Sequence, residues 1–352
     1  MPTPTIPAGN LFMDATIWTG VNTANAITIS NLQFQPDFVW GKSRSLAYGH
    51  GLYDSVRGTG KLLVSNNTNA EASNFLYGYI SAFNSNGFTA TPGSTDNENW
   101  NQTSATYVAW NWKAGGTAVT NTSGTISSQV SANTTSGFSV VTYTGTGSNA
   151  TVGHGLGVAP QFIIVKNRTV AGPNWYCYNQ YLDATSPQNY TIYLNLTNAR
   201  DPATAFWNNT APTSTVFTVG TSSGVNGSTN AMVAYCWTPI AGYSAFGSYT
   251  GNGSSDGPFI YTGFRPRWVM WKNSTQGSQW ILLDTARNTY NVSNAYLEPN
   301  TSDTENTAST VCDILSNGFK LRNAGGTDFN ENANTYIYAA FAENPFKYAN
   351  AR

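Results

Sequence analysis

The sequence contains few charged residues. Only 9% of its 352 residues are Asp, Glu, Lys or Arg, against about 25% in typical soluble proteins. The 16 basic and 17 acidic residues almost cancel, giving a formal net charge of -1. Because nucleic-acid binding needs several clustered Lys and Arg to neutralise phosphates, this composition argues against a nucleic-acid partner. Aromatic residues, at 14%, are too frequent for an intrinsically disordered chain.

Cysteine is also scarce. The three cysteines, Cys177, Cys236 and Cys312, are far apart and form no Cys-x-x-Cys pair, so the sequence predicts neither a disulfide framework nor a zinc site. No apolar run approaches the roughly 18 residues of a membrane-spanning helix. The first residues lack the basic and apolar stretches of a secretory signal. We therefore expect a protein that is made in the cytoplasm and inserts into no membrane.

Three segments of the chain carry the same landmarks in the same order, which indicates internal repeats. Each begins with an aromatic-Thr-Gly triplet, and 15 or 16 residues after its glycine comes a proline, followed by a hydrophobic run that ends in lysine. The triplets are 18–20, 143–145 and 249–251, and the runs are 36–42, 160–166 and 266–272. Since two independent landmarks recur together, we infer three related units.

Within a unit the hydrophobic pattern has a period of two. Stretches such as 26–29 and 139–143 alternate and are rich in β-branched and aromatic residues, which favours strands. The run 162–165 is apolar on both sides and predicts a strand that is buried on two faces. The sequence therefore predicts an all-β fold of three tandem β-sandwich, jelly-roll-like repeats.

The boundaries follow from the landmarks. We predict sandwich repeats at 14–115, 138–240 and 244–348, called units 1, 2 and 3 below. Residues 1–13 are interpreted as an extended N-terminal tether. Residues 116–137 are rich in Ser, Thr, Gly and Asn and are interpreted as a linker or an arm.

Two of the repeats share an acidic and a basic residue at the same place. Asp54 and Asp284 each lie 18 residues after the proline of their unit, and Arg57 and Arg287 follow three residues later. The same count in unit 2 reaches Tyr178 and Tyr181. Because the pair recurs in a scaffold, we interpret it as a structural ion pair that fixes a loop against its sandwich.

Candidates for catalysis or metal binding are few. His50 and His154 lie in glycine-rich turns at non-equivalent places, and we expect them to make local hydrogen bonds. Glu98 and Glu331 lie in two acidic loops and are the candidates for a glycosidase pair. Asp328, Asn330 and Asn332 alternate like the first ligands of a calcium loop, but its glycine and terminal glutamate are missing. The favoured interpretation is solvated turns, with no catalytic residue and no cofactor; calcium is the weaker alternative.

Two tryptophans lie in polar loops rather than in alternating strands. Trp100 is followed by Asn101, and Trp207 is followed by Asn208. Sugar-binding surfaces pair a flat ring, which covers the apolar face of the sugar, with amides that bond its hydroxyls. These four residues are the candidate contacts for a glycan; the alternative is that each indole folds back under its own sandwich.

Several strings resemble a module that is repeated in virion proteins of marine bacteriophages. The first is 34–65, which contains Gln-Pro-Asp-Phe-Val-Trp from position 35 and Asp-Ser-Val-Arg-Gly from position 54. Others are 153–160, 249–254 and 339–346, and the resemblance covers about 14–347. In that family the module belongs to tail fibres or other structural components with no defined activity. No catalytic or ligand residue therefore carries over.

The resemblance implies a non-enzymatic structural protein of a tailed phage virion, made in the host cytoplasm and working on the virion surface. A tail-fibre or appendage protein that contacts the host is the leading expectation. A capsid decoration or head-fibre protein is the alternative, and a polysaccharide depolymerase is a minor one. The expected partners are other virion proteins and a host surface glycan or protein, and we expect a homo-oligomer, with a trimer favoured.

Overall fold

The computed structural model describes Ile6 and residues 8–343, and nearly all of its regular structure is antiparallel β-sheet. In unit 1, a six-stranded sheet of order β1-β9-β3-β4-β5-β6 accompanies a three-stranded sheet of order β2-β8-β7. The strands are β1 Met13–Thr19, β2 Ile27–Ile29, β3 Phe38–Ser43, β4 Gly51–Asp54, β5 Lys61–Val64, β6 Ala72–Ser73, β7 Tyr79–Asn84, β8 Gly87–Thr91 and β9 Thr106–Trp112, with a helical turn, α1, at Glu98–Asn101.

Unit 2 has an eight-stranded sheet of order β10-β11-β12-β19-β14-β15-β16-β17 and a two-stranded sheet of β13 and β18. The strands are β10 Val119–Asn121, β11 Ser128–Asn133, β12 Phe138–Thr144, β13 Ala150–Gly153, β14 Phe162–Asn167, β15 Trp175–Asn179, β16 Tyr190–Tyr193, β17 Asp201–Pro202, β18 Val216–Val219 and β19 Ala231–Trp237. Two helical turns, α2 Thr204–Trp207 and α3 Ser223–Asn226, lie between the later strands.

Unit 3 has the fewest strands in the described part of the chain. Its four-stranded sheet has the order β20-β26-β22-β23, and its three-stranded sheet has the order β21-β25-β24. The strands are β20 Ser244–Thr250, β21 Phe259–Tyr261, β22 Pro266–Asn273, β23 Trp280–Asp284, β24 Cys312–Leu315, β25 Gly318–Leu321 and β26 Thr335–Ala342. The prediction of an all-β, sandwich-like fold is confirmed.

The large sheets of the three units share one strand order. In each large sheet, the strand that carries the aromatic-Thr-Gly triplet pairs with the last strand of its unit. That last strand pairs on its other side with the strand that ends near the buried lysine. The next strand along the chain follows at its side. The repeated landmarks of the sequence therefore fall on matching strands.

The segment 116–137 differs from the free linker or arm that its composition predicts. Its strands β10 and β11 pair with each other, and β11 pairs with β12 from Ser128 opposite Tyr143 to Asn133 opposite Phe138. Val130 on β11 is buried. The segment thus extends the large sheet of unit 2 within the same chain, because backbone pairing at an open sheet edge does not require a hydrophobic run.

Residues 1–5 and 7 of the predicted tether at 1–13 lie outside the described residues. Of its described part, Ile6 is buried in the main hydrophobic core, Gly9–Leu11 forms a short 3-10 turn, and Met13 begins β1. This part is packed against the fold and is not an extended tether. Within the described residues, no helix is long and apolar enough to cross a membrane.

One hydrophobic core joins all three units. The large sheets turn one face to this shared core, and the large sheets of units 1 and 2 pack their other face in separate cores of their own. Trp112 on β9 shows the sharing most directly, since its ring centroid lies 6.1 Å from that of Trp237 in unit 2 and 5.6 Å from that of Phe341 in unit 3. The central strands β3, β14 and β22 of the large sheets are buried on both faces.

Matching hydrogen bonds join the units into a closed ring. The indole N–H of Trp175 in unit 2 donates to the Val64 carbonyl in unit 1 at 2.9 Å, and that of Trp280 in unit 3 donates to the Tyr193 carbonyl in unit 2 at 2.8 Å. The ring closes at the equivalent position of unit 1, where His50 Nε2 lies 3.1 Å from the Glu298 carbonyl in unit 3. Each unit therefore contacts the other two.

Candidate functional site

The structure places Trp100 and Asn101, the first pair of candidate glycan contacts, inside unit 1, in agreement with the alternative that the indole folds back under its own sandwich. Trp100 is only 3% exposed, and its indole stacks on Trp18 with the centroids 6.2 Å apart. Asn101 is fully buried, and its side chain bonds backbone groups of Val21, Asn22 and Asn25. Both residues hold the end of unit 1 together, and only part of the Trp100 ring reaches a cavity described below.

In the second pair of candidates, Trp207 also lies under its own sandwich. Trp207 is 2% exposed and packs edge-to-face on Tyr178, with the centroids 6.1 Å apart. Asn208 follows α2 in the left-handed region, at φ 50°, which asparagine tolerates better than most residues. The pair therefore ends a helical turn and fills a core, so the indole is not available to stack on a sugar.

A buried asparagine recurs in all three units, which the sequence reasoning did not recognise. Asn101, Asn226 and Asn330 each lie five residues before the closing strand. In every unit the amide oxygen accepts the backbone N–H of the residue after the aromatic-Thr-Gly triplet, at 2.8–2.9 Å. The amide nitrogen donates to carbonyls of nearby loops. The fixed spacing was the signal that would have identified these residues.

The triplet has a matching physical role. Its aromatic residue donates to the carbonyl that precedes the buried asparagine: Trp18 to Trp100, Tyr143 to Val225 and Tyr249 to Phe329. Its glycine lies so close to the loop backbone that an added Cβ would come within 2.1–2.3 Å of a carbonyl oxygen. Only glycine fits there. The triplet and the buried asparagine together hold the loop against the strand that carries the triplet, and we call this arrangement the latch.

The two Asp-Arg positions are buried ion pairs. Arg57 Nε contacts the Asp54 carboxylate, and Arg287 Nε lies 2.5 Å from that of Asp284, with all four side chains fully buried. Unit 2 is corrected by its strand register: Asn179 lies opposite Phe162 just as Asp54 lies opposite Phe38. The loop of unit 2 is one residue longer, so the equivalent residues are Asn179 and Leu182 rather than Tyr178 and Tyr181.

Both ion pairs continue across the joints between units. Glu71 of unit 1 binds Arg57 at 3.0 Å and Arg168 of unit 2 at 2.8 Å. Glu305 of unit 3 binds Arg287 at 3.0 Å and Arg44 of unit 1 at 2.7 Å. Desolvation by burial opposes the charged form of Glu71, but Arg168 and Arg57 outweigh it and hold the carboxyl pKa below its usual value.

The lysine that ends each hydrophobic run is buried as well. Lys166 donates to the Thr68 carbonyl of unit 1 at 3.2 Å, and Lys272 donates to the Thr197 carbonyl of unit 2 at 2.9 Å. Burial lowers the pKa of Lys166 to about 8 and that of Lys272 to about 7. The ammonium groups of Lys166 and Lys272 donate to backbone carbonyls of the neighbouring unit. These lysines therefore stabilise the contacts between units and are not exposed nucleophiles.

Both histidines make the local hydrogen bonds that were expected, and His50 also contacts Glu298 of unit 3. His50 Nδ1 accepts the Trp40 indole N–H at 3.0 Å, and His154 Nδ1 accepts the Leu156 backbone N–H at 3.2 Å. In each ring Nε2 faces a carbonyl oxygen, which assigns the proton to Nε2. Burial lowers the pKa of both histidines, so both are neutral near pH 7.

The calcium candidates have other partners. The amide oxygen of Asn330 accepts the Asn252 backbone N–H, as described above, and Asp328 accepts the Gln279 backbone N–H at 2.6 Å. Asn332 is exposed. In the part of the chain that the structure describes, no three His, Cys, Asp or Glu side chains come together as a metal site requires. Glu98 and Glu331, the candidate carboxylates, lie in different units.

A cavity of about 290 Å³ opens in unit 1 between β3, β4 and α1. Half-buried Tyr48, Phe75 and Tyr77 lie around it, together with Glu98 and the edge of Trp100. Burial, followed by the neighbouring Glu98, raises the pKa of Tyr48 to about 12. Its hydroxyl therefore stays protonated and donates to the Gln102 side chain at 2.9 Å.

No curated protein shows significant similarity to the chain. A family model matches residues 8–345, which include units 1 and 2 and nearly all of unit 3. Because that match covers nearly the whole sequence, the chain belongs to the family described as Domain of unknown function (DUF7483).

Proposed function

We propose that the chain is a non-catalytic structural protein on the surface of a tailed-bacteriophage virion, acting in a tail fibre or appendage that contacts the host. The observation that carries this proposal is the ring of three units on one core. Its buried charged groups are used at the joints, as in Glu71 with Arg57 and Arg168. Such an arrangement suits a rigid building part, since repeated scaffolds seldom serve one active site.

The resemblance to the phage module supplies the setting. A virion protein is made in the host cytoplasm, leaves the cell by lysis and then works outside it. Its amide-rich, weakly charged surface keeps its contacts in sea water, where salt screens charges within a few ångströms. Other virion proteins and a host surface molecule are the partners we propose.

We do not propose that the chain cleaves a polysaccharide. A glycosidase needs two carboxyl groups about 5–10 Å apart across the bond that is cleaved. Glu98 is the only carboxylate among the described residues that line the cavity of unit 1, and Asp96 Oδ1 is used by the Glu98 backbone N–H at 3.0 Å. One acid beside aromatic rings is suited to binding rather than to hydrolysis.

The experiment compares two surfaces. The purified, fluorescently labelled chain is mixed separately with cells of the host and with empty capsids of the parent phage. We expect it to bind the cells and to slow adsorption of the intact phage by competition. Binding to capsids alone would make it a decoration or head-fibre protein, and binding to neither would contradict a virion-surface role.

A further inference from the structure

The cavity of unit 1 exists because two glycines face each other across neighbouring strands. Gly41 on β3 pairs with Gly51 on β4. Gly41 directly precedes the buried lysine of unit 1. In units 2 and 3 the residue before the buried lysine has a larger side chain, and so does the residue that pairs with it on the neighbouring strand. The equivalent pairs are Val165 with Tyr176 in unit 2 and Trp271 with Ile281 in unit 3. In unit 1 the Trp100 ring occupies the place that a Gly41 side chain would take, and the cavity lies beside it.

The glycine pair also brings an aromatic floor to the cavity. A Cβ at Gly41 would lie 2.5 Å from the Trp100 ring, so the indole rests directly on the strand backbone. Trp18 supports the indole by stacking with an interplanar angle of 2°. Tyr53 is fully buried beside the same space and packs edge-to-face on Trp100, with the ring centroids 5.8 Å apart. The buried rings of Trp100 and Tyr53 therefore form the base of the cavity, and the half-buried rings of Tyr48, Phe75 and Tyr77 are the ones that a ligand would contact.

The polar groups around the opening are amides. The side-chain oxygens of Asn66 and Asn67 accept the backbone N–H groups of His50 and Asn69, both at 3.0 Å. That leaves their NH₂ groups, and the Asn99 side chain at the same opening, for another partner. No Lys, Arg or His is among the described residues that line the cavity. The lining therefore favours a neutral ligand with hydroxyl groups over an anion.

Size restricts the ligand further. A volume of about 290 Å³ is near the lower end for small-molecule sites, which suits one ring and not an extended chain. A pyranose presents a face of C–H groups to aromatic rings and a rim of hydroxyls to amides and a carboxylate. We infer that this cavity binds one neutral pyranose unit of a glycan. That the glycan belongs to the host surface rests on the proposed function; that the cavity takes a neutral sugar does not.

The test uses the whole chain and defined neutral sugars. Glucose, galactose, mannose, N-acetylglucosamine and N-acetylgalactosamine are each screened by saturation-transfer NMR, and any hit is measured by calorimetry. We expect at least one to bind with a dissociation constant near 1 mM, as the few contacts of a single ring allow. Glucuronic acid, an anion of the same size, should bind at least about tenfold more weakly, because the lining offers it no cation.

A filled-cavity variant and a matched control locate the binding. At Gly51 a Cβ would already touch Leu62, Trp100 and Tyr53 at 3.4 Å, so the two further methyl groups of Gly51→Val must fill the cavity or push these three side chains into it. It should reduce affinity at least about tenfold. Gly325→Val, an exposed position with no atom within 4 Å of the added Cβ, should bind like the parent. Thermal melting checks that both variants fold.

The outcomes separate this inference from the proposed function. No binding by any neutral sugar, or binding that Gly51→Val leaves unchanged, would overturn the sugar site, while a virion-surface role would still be open to the cell and capsid experiment. Sugar binding that Gly51→Val abolishes supports the site, even if the chain then proves to be absent from virions. Tighter binding of glucuronic acid than of the neutral sugars would contradict the ligand class.

Discussion

Asn101, Asn226 and Asn330 show how a single side chain can organise a loop that has little secondary structure. Each amide satisfies backbone groups that the loop would otherwise bury without a partner. Their sequence neighbourhoods are merely polar, which is why Asn101 was interpreted as a sugar contact. Composition alone does not distinguish an amide that faces solvent from one that replaces a backbone partner.

The first prediction concerns Asn330. Asn330→Ala leaves the Asn252 backbone N–H and the carbonyls of Ser254 and Asn323 without this partner. We expect the free energy of unfolding, measured by urea denaturation, to fall by about 2–4 kcal/mol. The control is Asn332→Ala, an exposed neighbour, which should change it by less than about 0.5 kcal/mol. Equal effects from the two variants would refute the latch.

The second prediction concerns pH. Burial, followed by the nearby Asp328 and Asp303, raises the pKa of Glu298 from 4.5 to about 7. The folded chain then holds a proton that the unfolded chain releases, so the free energy of unfolding contributed by this group falls as pH rises from about 4.5 to 7. Because solvent still reaches the carboxyl, we expect a loss of about 1–2 kcal/mol.

The comparison with Glu298→Gln isolates that contribution. The glutamine does not titrate, so the variant should gain stability relative to the parent between pH 4.5 and 7, by the same amount that Glu298 loses. Urea denaturation of both proteins at the two pH values gives the difference directly. A difference that does not change with pH would show that the Glu298 pKa is not raised.

At the scale of elements, the turn after β4 and β23 depends on its buried ion pair. Arg57→Leu leaves the Asp54 carboxylate buried without its cation and should lower the free energy of unfolding by about 3–5 kcal/mol. The double variant Asp54→Asn with Arg57→Leu copies unit 2, where Asn179 and Leu182 occupy these positions. We expect it to recover more than half of the loss in a chemical denaturation series. A double variant as unstable as the single one would contradict the assigned equivalence.

Strands were the elements that the sequence predicted best. Alternation and β-branched residues identified β2 and β12, and the run at 162–165 predicts a strand buried on both faces, as β14 is. The rest of the small sheets and the pairing of β10 and β11 were less visible, since edge strands are stabilised by backbone hydrogen bonds rather than by side-chain pattern. A loop one residue longer also displaced the alignment at Tyr178.

At the scale of the whole molecule, the shared core makes the three units depend on one another. The sequence pattern of one repeat does not indicate which of its aromatic side chains will pack against aromatic side chains of the other units. Trp112 illustrates this, since it contacts rings of units 2 and 3. The Gly41 and Gly51 pair was hidden for a similar reason: its meaning appears only when the three units are compared strand by strand.

The fourth prediction follows from that dependence. Trp112→Ala should lower the free energy of unfolding by about 3–5 kcal/mol, and hydrogen exchange should show reduced protection in β14 and β22 as well as in β9. Tyr290→Ala, at an 86% exposed position, is the control and should leave all three protected. Loss of protection confined to unit 1 would mean that the units are stable separately.

The proposed place of this ring on a virion is the central claim, and imaging tests it most directly. A cryo-electron microscopy reconstruction of the parent phage would locate the three-unit body and give its symmetry and copy number. We expect density for the three-unit chain on the tail or its fibres, with the cavity of unit 1 facing outward. The expected assembly is a trimer. Purified, infectious particles that lack the chain altogether would contradict the virion-surface role.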